Sequence, residues 1–218
     1  MLYYLHGRWL HSDSTSLMTF TGNIFLPHEG FTESNPRGYL FGAMHDVPAM
    51  VEFFGRDRFI KKLDEVYDQN YYCHDNEPCH HYDYLYNFVG MPWKTQEKVR
   101  LDIQNAYANK PSGMVGNDDC GQMSAWYLLS GIGVYPMTPA SNRLELGAPQ
   151  LPKIKMRLRG HTLTMTAEGL SEENKYVKEA YIDGRRITKP YLDWDEFVSA
   201  RSLRFVMSAG PCDSWSEN

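Results

Sequence analysis

The chain has no long hydrophobic run and no excess of positive charge. Lys, Arg, Asp or His interrupts each apolar stretch well before the roughly 18 residues that a transmembrane helix needs. The 22 Lys and Arg against 27 Asp and Glu give a formal net charge of -5. The first absence argues against a membrane-spanning helix, and the second argues against a nucleic-acid or anionic-membrane surface.

A signal peptide is also missing from the start of the chain. Residues 1–9 lack a basic start, an apolar core and a small-residue cleavage site. The sequence therefore leaves the compartment undecided.

Cysteine is scarce, with four in 218 residues. Cys73 and Cys79, with His74 and His80 beside them, form a cluster that looks like a zinc site. Zinc sites usually bring two closely spaced pairs, whereas here five residues separate the cysteines and no second pair follows. The spacing favours unpaired thiols, and leaves a zinc site or a Cys73–Cys79 disulfide as alternatives.

Helical periodicity runs from about residue 46 to residue 133. Asp46 caps a predicted helix over 47–54, and Gly55 ends it. The apolar spacing predicts further helices up to residue 67, from Pro78 to Val89, from Thr95 to Ala106 and over 122–130. Short helices in antiparallel pairs are typical of a helical bundle or an α/α barrel.

After Pro139 the pattern changes to alternation of apolar and polar residues. It predicts strands over 155–159 and 161–166, a hairpin over 180–187 on an Asp-Gly turn, and a last strand over 203–207. The chain is therefore expected to be mixed α and β, with a helical domain over residues 1–140 and a β-rich module over 141–218.

Two adjacent carboxylates, Asp118 and Asp119, lie in a glycine-flanked turn before an apolar helix. A helix cap accounts for one of them. The second indicates a place that holds a cation or activates a water molecule. Gln122, directly after the turn, would position that water or bond the preceding loop.

Four motifs together resemble glycoside hydrolase family 92, a family of calcium-dependent, inverting exo-α-mannosidases. They are residues 75–81 (DNEPCHH), 84–96 (YLYNFVGMPWKTQ), 116–127 (GNDDCGQMSAWY) and 133–141 (GVYPMTPAS). The similarity extends from about Gly30 to Met207. It implies the C-terminal part of an (α/α)6 barrel followed by a β-rich terminal module, without the β-sandwich domain that precedes the barrel in the family. The chain alone is then expected to be incomplete as an enzyme.

The resemblance also implies catalytic roles. Glu33 matches the general acid of the family, Asp119 the general base, and Asp118 a supporting carboxylate. An inverting glycosidase needs one protonated carboxyl to protonate the departing oxygen and one carboxylate to activate water on the opposite face. Arg37 stands where a tryptophan is usual, which bears on the specificity for the leaving group and on the activity itself.

A metal and a sugar site follow from the same resemblance. Asn76 and Glu77 precede Pro78 at a helix entrance and offer oxygen ligands of the kind that Ca²⁺ prefers. The alternative for this pair is a helix cap. The expected contacts with a mannose-containing oligosaccharide, of the α-1,2-linked or related N-glycan type, come from His80, His81, Gln122 and Trp93.

Two other functional classes stay open at this point. One is a non-catalytic module that binds zinc through Cys73, His74, Cys79 and His80, or that binds calcium. The other is a relic that keeps carbohydrate binding or a structural role. The family resemblance further implies an exported protein, secreted or periplasmic.

Overall fold

A computed structural model describes residues 2–5, 8–11, 37–212 and 215. Within them the chain is mixed α and β, as predicted. The contacts divide it into two compact units, residues 1–82 and residues 83–218. The predicted division at residue 140 stays a prediction.

The first unit contains a β-hairpin and two short helices. Strands β1 (Leu2–Leu5) and β2 (Arg8–His11) pair antiparallel. A 3-10 turn, Met44–Asp46, leads into α1 (Val47–Phe54), and α2 (Arg56–Asp68) follows.

Local chemistry places both helices as the sequence predicts. The Asp46 carboxylate accepts a hydrogen bond from the Ala49 amide at 3.1 Å, which caps α1. Gly55 separates the helices with a φ of 75°, a backbone conformation that favours glycine. The apolar residues at helical spacing along α2, Phe59, Leu63 and Val66, are buried.

Three α-helices lie in the described part of the second unit. They are α3 (Pro92–Ala106), α4 (Gln122–Ile132) and the short α5 (Trp194–Ser199). A 3-10 turn, Asp119–Gly121, immediately precedes α4. Gly133 ends α4 in the left-handed conformation.

The predicted helix from Pro78 to Val89 is wrong. The structure has two 3-10 segments instead, Glu77–Cys79 and Tyr82–Val89. Its aromatic and apolar side chains are buried on nearly all sides, so the segment has no solvent face for an amphipathic α-helix to expose. The following helix also begins at Pro92, three residues before the predicted Thr95, because proline fits the first helical position.

Two sheets complete the second unit. The five-stranded sheet has the order β5 (Lys153–Leu158), β6 (His161–Glu168), β10 (Ser202–Ser208), β7 (Tyr176–Ile182), β8 (Arg185–Arg186). The three-stranded sheet has the order β3 (Val134–Tyr135), β4 (Arg143–Leu146), β9 (Tyr191–Asp193). The predicted strands and the Asp183-Gly184 hairpin turn are confirmed.

The core of this unit lies between the inner faces of the strands and α5. Alternate residues of β6 and β10 point into it, among them Leu163, Met165, Leu203 and Phe205. Among the described residues, no helix is both long and apolar enough to cross a membrane.

Candidate active site

In the first unit, hydrogen bonds tie the segment after Arg37 to the turn that follows the Asn-Glu-Pro motif. The Tyr82 hydroxyl donates to the Gly38 carbonyl at 2.5 Å and accepts from the Phe41 amide at 3.0 Å. The Cys79 thiol donates to the same Gly38 carbonyl at 3.6 Å. The guanidinium of Arg37 lies 4.9 Å from the centre of the Tyr71 ring. Glu33, four residues earlier, lies outside the described residues.

Both histidines of the motif are buried and hydrogen-bonded to main-chain carbonyls. His80 Nε2 donates to the His74 carbonyl at 3.0 Å, and the two rings stack 4.8 Å apart. His81 Nε2 donates to the Phe41 carbonyl at 2.7 Å. Because Nε2 carries the proton, His81 Nδ1 presents a lone pair, and it is buried with no hydrogen-bond partner among the described residues. Of the two histidines predicted to contact the sugar, His81 thus keeps one acceptor atom without a hydrogen-bond partner among the described residues.

Burial gives His81 a pH dependence that stability measurements can detect. Desolvation lowers the pKa of His81 to about 4, against the effect of its hydrogen bond to Phe41. In the unfolded chain the pKa is about 6.5, so the unfolded state binds the proton first as the pH falls. We expect the contribution of His81 to the free energy of unfolding to be constant above about pH 6.5. As the pH falls towards 4, the free energy of unfolding should decrease by on the order of 3 kcal/mol because of this residue.

The measurement is denaturant unfolding of the 218-residue chain across that pH range. His81→Gln keeps an N–H for the Phe41 carbonyl and removes the titration, so its stability should fall less on acidification. His45→Gln, at an exposed position, is the matched control. An unchanged slope in the His81 variant would contradict the assignment.

Asn76 and Glu77 lie at the entrance of the Glu77–Cys79 turn. Asn76 occupies the N-cap position with an extended backbone, but its side chain makes no capping hydrogen bond. The helix-cap alternative for this pair therefore lacks its defining contact. An amide oxygen and a half-buried carboxylate remain as hard oxygen donors in adjacent positions.

The alternative zinc set is engaged elsewhere. All four cysteines are free thiols, so the Cys73–Cys79 disulfide is absent. The Cys73 thiol donates to Asp75 at 2.5 Å, and burial followed by that hydrogen bond raises the pKa of Cys73 to about 12. A hydrogen bond of 2.8 Å joins His74 Nδ1 to the Tyr72 hydroxyl. Because zinc needs thiolates and free imidazole nitrogens, these contacts argue against the zinc module.

In the second unit the two adjacent carboxylates of the turn do different things. The Asp118 carboxylate accepts from the Ser124 amide at 2.8 Å and from the Ser124 hydroxyl at 2.9 Å, so it caps the start of α4. The Asp119 side chain is exposed, and its carboxylate makes no hydrogen bond or ion pair with the described residues. One carboxylate holds the helix, and its neighbour is open to water.

The backbone of this turn is strained. Asp119, Cys120 and Gly121 have successive φ values of 34°, 59° and 90°. A non-glycine residue in such a conformation costs on the order of 1–3 kcal/mol and persists where the surroundings enforce it. Here the Asp118 carbonyl accepts from the Gly121 amide at 2.9 Å. Backbone strain of this kind is concentrated at functional sites, which makes the turn a candidate site on structural grounds as well.

Aromatic rings line the helix that follows the turn. Gln122 Nε2 donates to the Tyr135 hydroxyl at 3.0 Å. Tyr135 stacks on Tyr84 at 5.0 Å, and Trp126 packs edge-on against Tyr135 at 6.4 Å. Trp126 and Tyr84 are fully buried, so they support the site as core residues. Trp93, the other predicted sugar contact, lies half-buried near the start of α3 with the Lys94 ammonium 5.8 Å from its ring.

The sequence reasoning missed two acids near these rings. Asp83 is fully buried, and one of its carboxylate oxygens lies within 4.8 Å of one of Asp102. Burial, followed by the nearby Asp102 carboxylate, raises the pKa of Tyr107 well above its usual value, so its hydroxyl stays protonated. The signal available in the sequence was Asp83 itself, a charge inside the aromatic run from Tyr82 to Phe88.

The sequence profile described as the glycosyl hydrolase family 92 catalytic domain matches residues 4–209. The chain belongs to this family. A curated relative, a secreted glycosidase of Arthroderma benhamiae, is 24% identical over 215 residues, which cover 94% of this chain and 27% of the relative.

Solved structures of family 92 enzymes are also similar. A family GH92 α-mannosidase of Bacteroides thetaiotaomicron in complex with mannoimidazole is 34% identical, with a TM-score of 0.84 over 97% of this chain and 30% of that one. A family GH92 inverting mannosidase of the same organism is 27% identical, with a TM-score of 0.78 over 86% of this chain and 29% of that one. The chain thus spans less than a third of the length of these relatives.

Proposed function

We propose that these residues supply part of the active site of a calcium-dependent, inverting exo-α-mannosidase. The observation that carries the proposal is the similarity of 97% of the chain to an α-mannosidase that binds mannoimidazole. The substrate class is then a mannose-containing oligosaccharide, with α-1,2-linked or related N-glycan mannosides as the first to assay. His80, His81, Gln122 and Trp93 are the proposed sugar contacts.

Asp119 is the proposed general base and Glu33 the proposed general acid. A base that activates water must be open to that water, and the exposed carboxylate of Asp119 meets this demand. Asp118 supports it by holding the strained turn to α4. In this mechanism Asp119 takes a proton from water as the water attacks the anomeric carbon, while Glu33 protonates the departing oxygen.

Asn76 and Glu77 are the proposed calcium ligands. Their donor set fits the ion, since Ca²⁺ takes amide and carboxylate oxygens, and the Asn76 side chain is not used as a helix cap. When bound, calcium would hold adjacent sugar hydroxyls and favour distortion of the ring towards a planar transition state.

The activity belongs, in this proposal, to a longer polypeptide. This chain covers 26% to 32% of the solved family members, so the remaining part of the catalytic domain would come from the rest of the protein. Its helices would form part of an (α/α)6 barrel and its strands the terminal module. Export of the protein is proposed from the secreted relative of Arthroderma benhamiae.

Metal removal tests the calcium proposal. In the full-length protein that carries these residues, chelation should abolish hydrolysis of an aryl α-mannoside, and Ca²⁺ rather than Zn²⁺ should restore it, because hard oxygen donors favour Ca²⁺. Glu77→Gln should raise the calcium concentration needed for half-maximal activity by at least about tenfold, the lower end of the loss expected for a perturbed metal site.

Glu52→Gln, at an exposed position of α1, is the matched control and should leave the calcium requirement unchanged. Hydrolysis that persists in chelator would remove calcium from the proposal while leaving the roles of Asp119 and Glu33 to be tested separately.

A further inference from the structure

The outer face of the five-stranded sheet is open to solvent and rich in positive charge. Along β5 the apolar Ile154, Met156 and Leu158 pack towards the core, which leaves the alternate residues on the other face. The same alternation turns outward Thr162, Thr164 and Thr166 of β6 and Arg204 of β10. We call this surface the basic face; its cations are Lys153, Lys155, Arg157, Arg186 and Arg204.

Charge on this face opposes the charge of the chain as a whole. Five cations stand there against two carboxylates, Glu168 and Glu179, whereas the full chain has a net charge of -5. Both carboxylates are engaged within the face. Glu168 pairs with Arg204 at 3.0 Å, and Glu179 accepts a hydrogen bond from the Tyr181 hydroxyl at 2.7 Å.

The cations of β5 differ from Arg204 in having no ion-pair partner among the described residues; they are Lys153, Lys155 and Arg157. All three are exposed. They follow one another on the same side of an edge strand, so a ligand that runs along the edge meets them in succession.

Cations are also regularly spaced across the sheet, from strand to strand. The strand register aligns Lys153 with Thr166, Thr166 with Arg204, Arg204 with Tyr181, and Tyr181 with Arg186. Cations therefore occupy every second strand, which places them about 9.5 Å apart at the usual strand separation. The threonine between the first two and the tyrosine between the last two provide hydroxyl groups along the row.

We propose that the basic face binds a linear acidic polysaccharide whose carboxylates recur at sugar or disaccharide intervals. Cations about 9.5 Å apart match such a ligand better than they match duplex DNA, in which each strand carries one phosphate per about 3.4 Å of helix axis. Outward-facing hydroxyls of Thr162, Thr164 and Thr166 suit sugar hydroxyls. A membrane surface would favour projecting apolar side chains, and Val206 and Tyr181 are both half-buried. This binding does not depend on the proposed catalysis.

The experiment measures binding of the 218-residue chain to immobilised alginate. The test variant is Lys153→Gln/Lys155→Gln/Arg157→Gln. The matched control, Arg56→Gln/Arg58→Gln/Lys61→Gln, removes the same charge from exposed positions of α2. Circular dichroism confirms that both variants fold.

We expect the wild type and the control variant to bind alginate alike and the test variant to bind on the order of tenfold more weakly, as the loss of three exposed charge contacts predicts. High salt should release all of them, because exposed charges are screened. Neutral mannan should not be retained.

Equal binding of alginate by the wild type and the test variant would overturn the proposal. A loss of binding in the control variant equal to that in the test variant would also overturn it, as would retention of neutral mannan equal to that of alginate. Tighter binding of duplex DNA or of phosphatidylserine vesicles than of alginate would also overturn it, in favour of those ligands.

Discussion

Asp119→Asn in the full-length protein should lower kcat for an aryl α-mannoside by about 10²–10⁴-fold, the usual contribution of a positioned general base. The amide cannot accept the proton of the attacking water, so the loss should appear in kcat rather than in KM. Unfolding stability should stay the same, because the Asp119 carboxylate is exposed and makes no hydrogen bond or ion pair with the described residues.

Asp118→Asn is the matched control for this prediction. Its remaining carbonyl oxygen can still accept from the Ser124 amide, so the cap weakens and the protein loses roughly 1 kcal/mol of stability. Its kcat should fall much less than that of the Asp119 variant.

The stereochemistry of the product provides a second readout. Proton NMR of the first-released sugar should show β-mannose from the α-mannoside, the result of inversion. Equal kcat losses in the two variants, or α-mannose as the first product, would contradict the role of Asp119.

Regular elements could be predicted because their signals are local. Asp46 before α1, the spacing of Phe59, Leu63 and Val66 in α2, and the alternation in β5 and β6 each act within a few residues. Such patterns record which face of an element is buried, so they predict the elements that have one buried and one exposed face.

The segment from Tyr82 to Val89 could not be predicted in this way. Its side chains are buried on more than one face, so the apolar spacing indicates burial without indicating helix type. The different roles of the two acids at the site could not be predicted from the sequence either. Asp118 and Asp119 are adjacent and identical in sequence, and only the contact with Ser124 distinguishes the cap from the open carboxylate.

Asn87 lies in the motif over residues 84–96, and its contacts are structural. It is buried, and its Nδ2 donates to Glu145 Oε2 at 3.1 Å and to the Leu146 carbonyl at 3.1 Å. Arg143 also hydrogen-bonds the Glu145 carboxylate, and its guanidinium lies 3.8 Å from the centre of the Tyr191 ring. This network joins the segment Tyr82–Val89 to β4 and β9.

Arg143→Met should therefore destabilise the protein by about 3–5 kcal/mol at pH 7, the cost of leaving a buried charge without its partner. Burial raises the pKa of Glu145, and the hydrogen bond and charge of Arg143 act against that rise. Without Arg143 the folded-state pKa rises further above the unfolded value of about 4.3. The variant should therefore be closest to wild type in acid and lose stability as the pH rises from the unfolded-state pKa through the folded-state pKa, because the unfolded state releases the proton first.

Denaturant unfolding of the 218-residue chain measures this effect, with Arg204→Met as the matched control on the exposed pair with Glu168. That control should cost no more than about 1 kcal/mol. Adding Glu145→Gln to Arg143→Met removes the stranded charge, so the double variant should regain stability over Arg143→Met at pH 7 and lose its pH dependence. A double variant no more stable than Arg143→Met would show that Arg143 acts by packing against Tyr191 and Phe88, which its guanidinium also covers, rather than by compensating the charge of Glu145.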